Sequence, residues 1–152
     1  MIDDTEETSF VPPELHCARL LACSELEADL SNPDSGYSLK NILVHVRPAD
    51  GLGFPFRIPR IWLFAQLFGT PGEYLLRVRV SRLVLEEDEI VEAGEPIAYG
   101  PWEIELPDGN YVECFGIPLT HVPFKEPGVY EFQLWADGFD EMLYYERLEA
   151  KE

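Results

Sequence analysis

Positive charge is what this sequence has least of. Eleven lysines and arginines face 29 aspartates and glutamates, for a formal net charge of −18. A protein that binds nucleic acid needs cations to displace the counterions of the phosphate backbone, so that class is disfavoured. An anionic membrane surface is disfavoured for the same reason. Long apolar runs are missing as well. None approaches the roughly 18 residues of a membrane span. The opening M-I-D-D-T-E-E-T-S-F has neither the basic nor the apolar region of a signal peptide, which makes the cytoplasm the expected location.

Cysteine is scarce. Cys17, Cys23 and Cys114 cannot all pair with one another, and no Cys-x-x-Cys occurs. On one continuous strand Cys17 and Cys23 would lie about 20 Å apart, beyond disulfide reach. Small buried thiols in a reducing compartment are expected. His16, His45 and His121 stand in separate segments without ligand spacing, so no zinc site is expected. The acidic run Glu86–Glu89 lacks the alternating pattern of a calcium loop, and acidic groups around Gly138 offer only a weak alternative. Phosphate-binding glycine loops and G-x-S-x-G are absent. Neither Cys23 nor Cys114 has a histidine beside it to act as a base. No catalytic residue, cofactor or metal is therefore expected, and the chain is read as a non-enzyme.

What is present is β-pattern. Glu126–Gly138 opens on the turn Pro127-Gly128. Tyr130, Phe132, Leu134 and Ala136 then alternate with Glu131, Gln133 and Trp135, which predicts a strand with one buried face. Asp137-Gly138 and the apolar Met142–Tyr145 predict a hairpin. Thr70–Val80 has the same opening, with Tyr74, Leu76, Val78 and Val80 on one face and Leu75, Arg77 and Arg79 on the other. Leu15–Ser24 reads as a strand, although a helix over Pro13–Leu30 competes. Ser31–Gly36 is turn chemistry and Tyr37–Val46 a strand. Two prolines restrict Phe54–Arg60 to an edge segment or an extended loop. Ile61–Phe68 is apolar on both faces and needs cover on each. Glu86–Glu95 is an acidic edge or loop, Pro96–Trp102 is irregular, and Glu103–Leu106 and Tyr111–Leu119 form a hairpin. Seven to eight strands with little convincing helix predict an all-β fold, an antiparallel, immunoglobulin-like β-sandwich. Residues 1–13 form an acidic lead, 14–148 a single domain and 149–152 a polar tail.

The order of blocks carries a resemblance. The blocks are A-R-L-L-A-C, a Ser/Asn/Pro/Gly turn, Y-S-L-K-N-I-L, the Phe54-Pro55 and Ile58-Pro59 pairs, I-W-L-F-A-Q-L, P-G-E-Y-L-L-R-V-R-V and F-K-E-P-G-V-Y-E-F-Q-L-W-A-D-G. Over Leu15–Leu148 the chain resembles an uncharacterised bacterial family of small single-domain β-sandwich proteins, known as a domain of unknown function. The resemblance implies the fold and no activity.

Two functions from different classes remain. The first is a protein–protein interaction module, acting on a partner or a second copy through a sheet face. Its candidate residues are Arg77 and Arg79, which share one strand face, and the apolar Trp62 and Phe64. If the strand runs on to Arg82, that residue points to the opposite face unless a bulge intervenes. The second is a small-ligand or carbohydrate binder at a loop end, through Trp102, Trp135 and Asp137.

Overall fold

The computed structural model describes residues 12–28, 37–109 and 112–152. They form nine strands: β1 (Leu15–Ala28), β2 (Tyr37–Ile42), β3 (His45–Val46), β4 (Phe56–Gly69), β5 (Gly72–Glu86), β6 (Glu89–Leu106), β7 (Glu113–Phe124), β8 (Gly128–Ala136) and β9 (Tyr144–Ala150). No helix occurs among the described residues, so the strand reading of Leu15–Ser24 prevails over the helical one. Most of the predicted acidic lead, residues 1–11, and the predicted turn at Ser31–Gly36 lie outside the described residues.

Sheet A has the order β2-β1-β4-β7 and sheet B the order β3-β9-β8-β5-β6. One core lies between them. Ile61, Leu63, Ala65 and Leu67 come from β4, and Leu76 and Val78 from β5. Phe132 and Leu134 come from β8. The alternation foreseen for Tyr74–Val80 and Tyr130–Ala136 is realised, with the named apolar residues buried.

Three expectations are corrected. The sheets are not all antiparallel, because β3 runs parallel to β9. The predicted strand Tyr37–Val46 is two strands in different sheets. The break falls at Leu43-Val44, just past Asn41, which takes a left-handed φ of 54° while its side-chain amide donates to Ser24 Oγ at 3.0 Å. Glu149 and Ala150, assigned to a polar tail, complete β9, and Ala150 is buried against β3's side of the core.

β6 departs from expectation as well. Pro96–Trp102, expected to be irregular, lies in the middle of a strand with two register shifts. Opposite Leu76 to Val78, β6 runs from Trp102 to Tyr99, one residue more than its partner. Opposite Val80 to Arg82 it runs from Ile97 to Ala93, two residues more. Such bulges blunt an open sheet edge.

The acidic run begins at the β5–β6 turn. Glu86 pairs with Glu89, and the two residues between them, Glu87 and Asp88, have φ of 49° and 67°. This two-residue turn prefers Asn-Gly, because both central residues are left-handed. Replacing Glu87 by Asn and Asp88 by Gly together is expected to stabilise the fold by about 1 kcal/mol. Urea unfolding would check this, and a lowered midpoint would refute it.

Glu146 is an inward-facing charge. It stands opposite the buried Phe132 in the β8–β9 ladder, and burial raises its pKa against the opposing effect of the Arg147 backbone N–H. The folded state therefore holds this proton more tightly than the unfolded chain. The resulting stability is present in acid, below the ordinary carboxylate value, and is lost as pH rises through the folded value. Glu146→Gln is expected to raise the melting temperature at pH 7, with the gain vanishing in acid. An equal gain at both pH values would contradict the assignment.

Candidate functional site

The outer face of sheet B is built by alternation. β5 presents Arg77, Arg79 and Ser81 away from the core, and β8 presents Glu131, Gln133 and Trp135. Glu131, Gln133, Trp135 and Arg79 join Arg147 of β9 and Glu92 of β6 in one hydrogen-bonded network across four strands, with the Arg77–Asp137 pair beside it. From β9, Arg147 Nε donates to Glu131 Oε2 at 2.8 Å while its guanidinium lies 4.7 Å from the Tyr145 ring centroid. Gln133 Nε2 donates to Glu131 Oε1 at 2.7 Å. Trp135 Nε1 and Arg79 Nη1 both donate to Gln133 Oε1, at 3.1 and 3.3 Å. Arg79 also forks onto Glu92 of β6, at 3.0 and 3.1 Å. Arg77 forks onto Asp137, at 2.7 and 3.1 Å.

The layer covers its own floor. Glu131 is only 5% exposed although it lies on an outer face, because Arg147 and Gln133 occupy its oxygens. Three arginines meet three carboxylates here, so the band is neutral on a chain of net charge −18. The hydrogen bonds from Arg77 hold the Asp137 carboxyl below the usual carboxylate range. Ser81 Oγ, beside Glu131 in the ladder, is buried without a hydrogen-bond partner among the described residues.

The structure therefore joins two candidate sets that the sequence kept apart. Trp135 and Asp137, proposed for a ligand, line the same shallow depression of ≈ 350 Å³ as Arg77 and Arg79, proposed for a partner. Trp102 does not join them. It stands opposite Leu76 and packs against the core, on the far side of β6 from Trp135. Trp62 and Phe64 are separated too, since they lie on the outer face of sheet A. Phe64 is 7% exposed, and its cover is intramolecular: the Tyr37 ring meets it edge-on at 5.6 Å, and Tyr37 Oη donates to Cys114 O at 3.2 Å. Leu26 lies over the same face, where a Cβ on Gly116 would come 2.4 Å from its Cδ2. Trp62 carries the Arg60 guanidinium 5.7 Å from its ring centroid. Arg82 points to the core side, as alternation required, and pairs with Glu126 at 2.8 Å.

Sequence inspection missed Glu131, Gln133, Glu92 and Arg147 as members of this layer. The alternation did place Glu131 and Gln133 outward, but only the β8–β9 register sets Arg147 opposite Glu131. All three cysteines are free. Burial pushes Cys17 up to about 11 and also raises Cys23. Among the described residues no group of three or more His, Cys, Asp or Glu side chains is placed to hold a metal ion, and no helix is long and apolar enough to cross a membrane.

No protein-family model matches the chain, and no curated protein matches it. Among solved structures it is similar to the Pseudomonas fluorescens alkylpurine DNA glycosylase AlkC bound to DNA containing an abasic site analog. The TM-score is 0.52 at 10% identity, over 91% of this chain and 31% of the glycosylase. A β-glucosidase from Listeria innocua aligns with a TM-score of 0.45 at 10% identity, over 91% of this chain and 16% of that enzyme. The chain thus spans under a third of the first of these proteins and about a sixth of the second, and the likeness to the glycosylase is one of fold alone.

Proposed function

We infer that this chain is a non-enzymatic interaction module, an immunoglobulin-like sandwich of the cytoplasm that docks on another protein through the outer face of sheet B. One observation carries the reading. A neutral band of interlocked arginines, carboxylates and Trp135 crosses four strands of a chain whose net charge is −18. Rigid, pre-paired arginine forks and a half-buried tryptophan are the residue types enriched at protein interfaces. Carrying DNA binding over from the glycosylase finds no support in so acidic a chain.

The test uses the full chain as bait in its own host extract, beside Arg77→Glu/Arg79→Glu checked for folding by circular dichroism. Proteins retained by the parent and lost by the variant support the reading, and identical captures would sink it. Light scattering at low and high salt identifies a second copy as the partner: a dimer that dissociates in salt places the arginines at the interface.

A second reading has one observation in its favour. The depression that gathers Trp135, Asp137 and Arg77 would suit a small polar ligand. Such a ligand at 100 times its Kd would add about 2.7 kcal/mol of stability, and Trp135→Ala would abolish the gain.

A further inference from the structure

We propose that the free end of the β5–β6 hairpin is the anchor point for a basic partner protein, whose segment presents apolar side chains flanked by lysine or arginine. This rests on the interaction reading and names the partner's chemistry at one end of the same face.

The hairpin outruns its sheet. β8 last pairs with β5 at Leu83, opposite Val129, while β5 and β6 continue together to the turn at Glu86–Glu89. Beyond Leu83 the chain is a two-stranded ribbon. Leu85 and Ile90 stand directly opposite each other on it, 70% and 59% exposed. Leu83 and Val129 continue the patch on the same face toward the body of the sheet. Apolar side chains exposed on a projecting ribbon forgo the free energy of burial, and an unprotected strand edge invites association.

The charges decide with what. Glu92, Glu126 and Glu131 are each held by an arginine, but Glu86, Glu87, Asp88 and Glu89 have no ion-pair partner among the described residues. The apolar pair is thus rimmed by four consecutive carboxylates, among those without an ion-pair partner in the described residues. A second copy would bring the same rim on a body of charge −18, and like charges brought together at an interface oppose association. Nucleic acid and anionic lipid meet the same repulsion. A protein segment with apolar and cationic side chains satisfies both features. The acidic pair Glu87-Asp88 also occupies left-handed positions where Asn-Gly would fold more easily, so the charge stands there against the backbone's preference.

The probe is a synthetic amphipathic leucine–lysine peptide, with a serine–lysine peptide of equal charge as its control. Binding to the full chain is followed by fluorescence anisotropy across a salt series. The parent is expected to prefer the leucine–lysine peptide. Leu85→Ser/Ile90→Ser, which leaves the net charge unchanged, is expected to bind it about tenfold more weakly. Glu87→Asn/Asp88→Gly, which suits the turn, is expected to bind more weakly with a shallower salt dependence. Absence of a preference in the parent, or undiminished binding by the serine variant, would overturn the proposal. Host proteins that the serine variant still captures but Arg77→Glu/Arg79→Glu loses would overturn it while leaving the broader interaction reading in place.

Discussion

Gly69→Ala is expected to cost about 3 kcal/mol of folding stability, near the top of the range for a small-to-large substitution. Gly69 ends β4 and pairs with Leu15 at the start of β1. A Cβ there would sit 2.2 Å from the Glu14 carbonyl oxygen and 3.0 Å from Leu15 Cα. Both obstacles are backbone, so no rotamer change relieves them. The displaced carbonyl is also the one that accepts from Thr70 N–H at 2.8 Å, while Glu14 N–H donates to Thr70 Oγ1 at 2.9 Å. Relief of the clash would therefore break the clamp that holds the beginning of β1 to the end of β4. Equilibrium urea denaturation measures the loss. A change within about 0.5 kcal/mol, the range of ordinary surface substitutions, would show that this end of β1 is not held as described.

Arg147→Ala has the next largest expected effect, about 2 kcal/mol. Removing one partner of a fully buried ion pair typically costs about 3–5 kcal/mol. The Arg147 side chain is 40% exposed, so solvent screening reduces the figure. What remains is the Glu131 carboxylate, almost wholly buried, with one oxygen held by Gln133 and the other without its guanidinium. Adding Glu131→Gln in the Arg147→Ala background removes the uncompensated charge. It should recover more than half of the loss, as a double-mutant cycle would show. Without that recovery, the cost of Arg147→Ala would belong to its packing on Tyr145.

These expectations draw unequally on the sequence. The faces of β5 and β8 were legible because Tyr74–Val80 and Tyr130–Ala136 alternate without interruption and one face is core. Arg82's departure from the Arg77–Arg79 face followed from the same count. Trp102 was not legible. It is in phase with Ile104 and Leu106, but Gly100-Pro101 makes Pro96–Trp102 read as irregular, and the two bulges on its N-terminal side break the count from the other end of β6. The two-sided apolar pattern of Ile61–Phe68 calls for cover on both faces, and the structure supplies it for Phe64 but leaves Phe68 exposed. The source of that cover was not visible, because Tyr37 and Leu26 reach Phe64 and Gly116 only through sheet A's register. The charge layer was hidden for a similar reason. Glu92, Glu131 and Arg147 look like ordinary solvated charges until the strand order brings them beside Arg79 and Gln133.

The strand order also bears on how the chain comes into being. All four strands of sheet A lie before residue 125, whereas sheet B places β5 between β6 and β8 and hangs β3 on β9. During synthesis, sheet A can therefore pair completely while sheet B is still a two-stranded ribbon with a β3 segment that has nothing to pair with. The inner face of sheet A, including Ile61, Leu63 and Leu67, waits for a lid that leaves the ribosome last. A nascent chain halted before Gly128 would expose that face, and it is this intermediate, rather than the finished fold, that would most need a chaperone.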